Sequence, residues 1–158
     1  LGHERTNNAQ VASSKKALSK IRKIAKLKIN GTYSLSEDKR FIDKLVNCDL
    51  RVQALEYDLI KVISNEIKGI SPGVEANMLK IRGSEIQQEI TELVLEASGY
   101  YANSIQNNII EIGMNEPKVG PSWTSTSAQK YFDMRKTTIY AGSTEIQKNI
   151  LAKMVLEL

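Results

Sequence analysis

The chain is poor in the residues that specialised architectures need. Among 158 residues there is one cysteine, Cys48, one histidine, His3, and one tryptophan, Trp123. A single cysteine excludes an internal disulfide framework and a cysteine-based zinc site, and it fits a reducing, cytoplasmic setting. A lone His3-Glu4-Arg5 cluster offers no second or third ligand at helical spacing, so no metal site is expected. No apolar run approaches the roughly 18–20 residues that cross a bilayer, and no signal-peptide pattern opens the chain. Three prolines and nine glycines leave little material for turns, which favours long helices. The charge balance, 22 Lys+Arg against 18 Asp+Glu, gives a net charge of +4, too mild to imply a nucleic-acid partner. With 41% apolar and 25% charged residues, wholesale disorder is excluded as well. The chain opens on Leu1 in mid-pattern and is read as a piece of a longer protein.

What is present is helical periodicity. Val11, Ala17, Leu18, Ile21, Ile24, Ala25 and Leu27 advance in steps of three and four, predicting a helix near 3–28 with Gly31 as its stop. Ser34 and Glu37 have the spacing of a capping box ahead of a second helix near 36–67. Ser71-Pro72 suggests an N-cap and first helical position for a third, near 72–98, closing at Gly99. A last helix is expected near 143–156, begun by Ser143 or by Thr144 with Gln147 three beyond it. Residues 100–127 break every period; a loop of that length is usually functional or partly disordered, and its Ile-rich part with Trp123 either shapes a pocket or packs on the helices. A short helix near 128–135 is plausible. No stretch alternates as a strand does, so the expected fold is all-α, an antiparallel four-helix bundle.

Two features could carry chemistry. The run Lys15, Lys16, Lys20, Arg22, Lys23, Lys26 and Lys28 has no acid within it and could face phosphates or a membrane. It interleaves with the apolar stripe and lacks stacking aromatics, which favours the solvated face of an amphipathic helix. The stretch Tyr140-Ala141-Gly142-Ser143-Thr144-Glu145 is a turn of small residues feeding a helix N-terminus, where backbone N–H groups and the positive dipole end attract anions. Every capped helix has such an end, so by itself the signal is weak.

Read onward as YAGSTEIQKNILAKMVLEL, that stretch resembles the C-terminal signature of acyl-CoA dehydrogenases. LGHERT is similar to the segment opening that family's helical C-terminal domain, and KIRGSEIQQEITELVLEASGYY to its third long helix. The resemblance covers almost all of residues 1–158. It implies one C-terminal four-helix domain, with the N-terminal helical and middle β-domains lying outside this sequence. The wording LGHERT, with a YFDMRK segment before the final turn, is similar to the bacterial pimeloyl-CoA dehydrogenase large-subunit type.

The implied chemistry is an FAD-dependent α,β-dehydrogenation of an acyl-CoA thioester, within fatty acid metabolism. The implied partners are the acyl-CoA, an electron-transferring flavoprotein as electron acceptor, and further copies or a second subunit in a dimer or dimer of dimers. Many relatives carry the base in a Tyr-Glu-Gly motif; here Ala141 stands in that place and cannot take a proton. Some relatives put the base on the first helix of this domain, directly before an Arg, which implies Glu4 as base, with Arg5, Tyr140 and Ala141 beside the substrate. Gly142, Ser143 and Glu145, with Gly99 and Tyr100, fall where the family contacts FAD. Only Gly-Tyr of a glycine-rich GGxGY survives in EASGYY, and the Arg-x-x-Phe-Gly segment that reaches the FAD pyrophosphate is absent. Arg40 or Lys28 could substitute for it electrostatically. The same departures leave room for a non-catalytic partner subunit, or for a plain helical interaction domain. The isolated domain, lacking the β-domain, is expected neither to hold FAD tightly nor to turn over.

Overall fold

The computed structural model describes residues 9–28, 34–104 and 117–156. Five α-helices occur among them, and no strand: α1 (Val11–Ala25), α2 (Lys39–Ile67), α3 (Glu75–Ser98), α4 (Ser127–Asp133) and α5 (Thr144–Leu156). Short 3₁₀ turns span Leu35–Glu37, Gly99–Asn103 and Met134–Thr138. The all-α expectation holds.

Helix α3 is the axis of the domain and packs against each of the other four helices. Helices α1 and α2 each bury one apolar stripe, as the 3.6-residue period requires. Leu18, Ile21 and Ile24 of α1 meet Phe41, Leu45, Val52 and Leu55 of α2 and Leu79, Ile86, Ile90 and Leu93 of α3 in one continuous core. Ion pairs between the helices fix their directions. Lys15 pairs with Glu56 and Arg22 with Asp49, so α1 and α2 run antiparallel. Lys44 pairs with Glu96, and Arg51 bridges Glu85 and Glu89, so α2 and α3 do the same. Gly83 lets the chain approach closely at the start of α1, since a Cβ there would meet the Ala9 backbone at 2.7 Å.

The helix ends differ from the sequence reading in four places. Ser34 and Glu37 do interact, at 3.1 Å, but within their own 3₁₀ turn. The cap of α2 is Asp38, whose carboxylate accepts from Arg40 N–H at 2.9 Å and Phe41 N–H at 3.4 Å. An aspartate one residue before the helix satisfies two orphan donors, which leaves the Ser34 box nothing to cap. Pro72 does not open α3, which begins at Glu75, after Gly73 and Val74. Helix α1 begins at Val11, because Gln10 takes a left-handed conformation at φ 51°; residues 3–8 of the expected helix lie outside the described residues. It ends at Ala25 rather than near 28.

Lys15, Lys16, Lys20, Arg22, Lys23, Lys26 and Lys28 are all exposed, and two of them pair with acids of α2. The basic run is therefore the solvated face of α1. Trp123 packs against the core, so the described end of the 100–127 loop lies on the bundle.

Candidate functional site at the start of α5

The turn between the 3₁₀ segment Met134–Thr138 and α5 brings together Tyr140, Ala141, Gly142, Ser143 and Glu145. Ala141 and Gly142 are both left-handed, at φ 56° and 85°. For glycine that conformation is free, but for alanine it costs roughly 1–2 kcal/mol. Gly142 is required on a second count, since a Cβ there would overlap the side-chain amide of Gln147. Ser143 is the cap of α5: its hydroxyl accepts from Ile146 N–H at 3.3 Å and its carbonyl from Gln147 N–H at 2.9 Å. Ala141 and Gly142 are exposed, as is the half-open ring of Tyr140.

Beneath this exposed turn lie two buried polar atoms without a partner, Thr144 Oγ1 and Gln147 Oε1. Thr144 is 7% exposed and Gln147 2%. Buried groups of this kind are paired in the great majority of proteins, so a helix start carrying two of them is unfinished. The Glu145 carboxylate is exposed and held below its ordinary range, first by its own backbone N–H and next by the Ser143 hydroxyl. Positive partial charge at the end of α5 thus already stabilises one anion.

Lys80 of α3 closes the floor of the site. It is 1% exposed, and Nζ donates to the Thr137 carbonyl at 2.6 Å. The same ammonium lies 5.9 Å from the centre of the Tyr140 ring, inside cation–π range. Among the described residues no carboxylate forms an ion pair with it. Burial lowers its pKa, partly opposed by the charge of Glu145. Lys80, Ser84, Thr137 and Tyr140 line a small polar cavity of about 80 Å³.

Five of the expected site residues therefore share one turn. Gly99 and Tyr100 do not join them. Gly99 terminates α3 at φ 53°, and Tyr100, 87% exposed, belongs to a 3₁₀ turn that packs against α3 and α4. At 1.5 Å per residue, the α3 axis carries them roughly 28 Å from Lys80. Glu4 and Arg5 lie outside the described residues. Sequence reasoning passed over Lys80, Thr144 and Gln147 as members of the site. Lys80 shares its helix face with Asn77, Gly83, Ser84 and Gln87, so in the sequence it reads as an ordinary surface lysine. The burial of Thr144 and Gln147 left no sequence signal, because both also read as ordinary capping residues.

A helical bundle whose last helix begins in an open, strained and polar-floored turn matches a known domain type. Residues 1–156 match the family model described as "Acyl-CoA dehydrogenase, C-terminal domain". The chain belongs to the acyl-CoA dehydrogenase family and corresponds to its C-terminal domain. No curated protein matches the sequence. Among solved structures it is similar to a glutaryl-coenzyme A dehydrogenase in complex with glutaryl-CoA, at 17% identity and a TM-score of 0.75, covering 99% of this chain and 36% of that one. It is similar to butyryl-CoA dehydrogenase from Megasphaera elsdenii at 20% identity and a TM-score of 0.71, covering 96% and 36%. A third, the FAD complex of PigA, shares 16% identity with a TM-score of 0.70, covering 92% and 33%. The chain spans about a third of the length of these structures. At such identities the likeness establishes the fold.

Proposed function

We propose that this chain is the C-terminal domain of an FAD-dependent acyl-CoA dehydrogenase in which Glu4 is the general base. The observation that carries the reading is the unfinished start of α5. Thr144 Oγ1 and Gln147 Oε1 are buried acceptors without a partner, in the first turn of the helix that follows the exposed Ala141 and Gly142. Those residues fit an extended cofactor rich in hydroxyl and amino donors, laid across a glycine that admits no side chain. Gly142, Ser143 and Glu145 would hold FAD there from this chain, and Gly99 with Tyr100 would serve a second contact at the other end of α3. FAD, when bound, supplies hydride acceptance.

The chain's own residues then have distinct tasks. Glu4 removes the α-proton of the thioester; to do so at neutral pH its carboxyl must sit where burial raises its pKa. Arg5 is assigned a structural role or one toward the CoA portion rather than an ion pair with Glu4, because such a pair would lower that pKa. The Ala141 backbone N–H, held in an exposed turn, is available to the thioester carbonyl, with Tyr140 beside it. The acceptor of the electrons is an electron-transferring flavoprotein. The apolar residues left exposed on α5, Ile146, Met154, Val155 and Leu156, form an assembly face for a dimer or dimer of dimers. By its wording the chain is similar to the bacterial pimeloyl-CoA type, a soluble cytoplasmic enzyme of fatty acid metabolism.

Ala141 favours a second reading, a partner subunit that retains the fold and lacks catalysis, since the commoner position of the base is empty. Both readings are tested on the full-length protein. Purified protein with bound flavin absorbance that is bleached anaerobically by an acyl-CoA supports the enzyme. Bound flavin without bleaching by any acyl-CoA supports the partner subunit. A colourless protein that binds no FAD on reconstitution overturns both.

A further inference from the structure

Lys80 is the one buried cation in the described core, and no residue role assigned above uses it. Removing an ammonium from water costs several kcal/mol unless it is paired and hydrogen-bonded. A lysine 1% exposed, with a backbone carbonyl and an aromatic ring as its partners and no ion-paired carboxylate among the described residues, is therefore an expensive choice. The two partners are what make it informative. Thr137 and Tyr140 lie four residues and one residue ahead of the strained Ala141, and both contact the same Nζ. On the far side, Gln147 blocks Gly142 from any larger residue and Ser143 caps α5. A left-handed alanine persists only where its surroundings over-determine it. Here it is clamped from both ends.

We infer that Lys80 is a positioning residue: its ammonium, fixed to the Thr137 carbonyl and the Tyr140 ring, forces Ala141 into the left-handed conformation that presents the 140–142 backbone to the ligand. This deepens the proposed function and rests on it as far as the ligand is an acyl-CoA; the mechanical part stands on the fold alone.

The mechanical part is tested first, by a double-mutant cycle on the full-length protein. Replacing alanine by glycine at a left-handed position removes the conformational strain and adds unfolded-state entropy, the strain being the larger. Ala141→Gly in the parent should therefore lower the unfolding equilibrium constant by roughly two- to fivefold. In a Lys80→Met background, the turn relaxes and the same substitution should be neutral or slightly destabilising. An Ala141→Gly change that stabilises equally in both backgrounds, or in neither, overturns the inference. Should Lys80→Met not fold, Lys80→Gln and Tyr140→Leu, which remove the charge and the ring respectively, complete the cycle. If Ala141→Gly alone destabilises the parent, no strain is stored there and the inference fails without any Lys80 variant.

The ligand part has its own readout. The rate of flavin reduction by acyl-CoA, expressed per bound flavin, should fall at least tenfold in Lys80→Met, with acyl-CoA affinity weakened in parallel. A merely structural lysine would lower flavin content and melting temperature while leaving the rate per bound flavin at the parental value, and that result overturns the positioning role. If the parent holds no flavin, the proposed function fails while the stability cycle still decides what Lys80 does to the turn.

Discussion

At the scale of single residues, burial and conformation decide what each group can do. Cys48 is fully buried, and its thiol is pushed up to about 12, first by burial and next by the charge of Glu89, against the opposing pull of Arg51. The thiolate is the nucleophile, so iodoacetamide at pH 8 should leave the native protein unmodified and label it once it is unfolded; labelling at the rate of a free thiol would contradict the burial. The sign of the pH effect follows from the raised value. Protonated Cys48 favours the fold fully below the unfolded pKa near 9, and that contribution is lost as pH climbs from 9 towards 12. Stability of the parent should accordingly fall more steeply over that window than that of Cys48→Ala, by chemical denaturation at a series of pH values. Two glycines give a second contrast. Gly69 is left-handed at φ 76° with nothing within 4 Å of a would-be Cβ, whereas Gly142 at φ 85° would collide with Gln147. Gly69→Ala should therefore cost about 1 kcal/mol from backbone strain alone. Gly142→Ala should cost about 2–3 kcal/mol, adding the displaced buried amide to that strain. Equal losses in urea titrations would show that the Gln147 contact carries no energy.

At the scale of elements, apolar packing outweighs the ion pairs that mark helix direction. Leu55 is 2% exposed in the core of α2, so Leu55→Ala should lose about 2–5 kcal/mol. Arg51, which bridges Glu85 and Glu89 on α3, is 39% exposed in its side chain. Screened pairs of that kind contribute about 0.2–1 kcal/mol each, so Arg51→Ala should cost far less than Leu55→Ala, and its effect should shrink in 1 M salt. A salt-independent loss as large as that of Leu55→Ala would reverse this ranking. The same distinction explains what was legible in the sequence. The long helices announce themselves because a period of 3.6 is repeated along α2 and α3, and each repeat adds to the signal. Their ends do not, since one hydrogen-bonding side chain decides each. Ser34 and Glu37 have the spacing of a cap, yet the cap in the structure is Asp38, which the sequence reading passed over. Gln10 carries no pattern that foretells a left-handed residue. At the site, the glycine and the capping serine of the 140–145 turn were readable as turn chemistry, while Lys80 was not, because a lysine in a stripe reads as surface until a neighbouring segment covers it.

At the scale of the whole molecule, the chain is about a third of the proteins it resembles, and its proposed chemistry joins two segments that lie at opposite ends of the sequence. Glu4 comes from the opening segment, outside the described residues, and the turn that would receive the thioester carbonyl lies at 140–142, just ahead of α5. Dehydrogenation needs a carboxylate at the α-carbon, and Ala141 has vacated the place where many relatives keep it. General-base catalysis typically accounts for about 10²–10⁴ in rate. In the full-length protein, Glu4→Gln should therefore reduce flavin at least 10²-fold more slowly on adding an acyl-CoA, measured by anaerobic stopped-flow absorbance. Binding should survive, because glutamine keeps the shape of glutamate while losing its basicity, so the spectral shift of ligand binding should saturate near the parental concentration. Reduction at the parental rate would place the base elsewhere. Restoring a carboxylate at the other position, Glu4→Gln with Ala141→Glu, should recover part of the rate if both positions face the same α-carbon. That glutamate would inherit the left-handed backbone of Ala141, at φ 56°, and with it a strain of roughly 1–2 kcal/mol. The recovery should consequently be partial, and it should depend on Lys80, which keeps the turn in place: the triple variant with Lys80→Met should lose what the double variant regained.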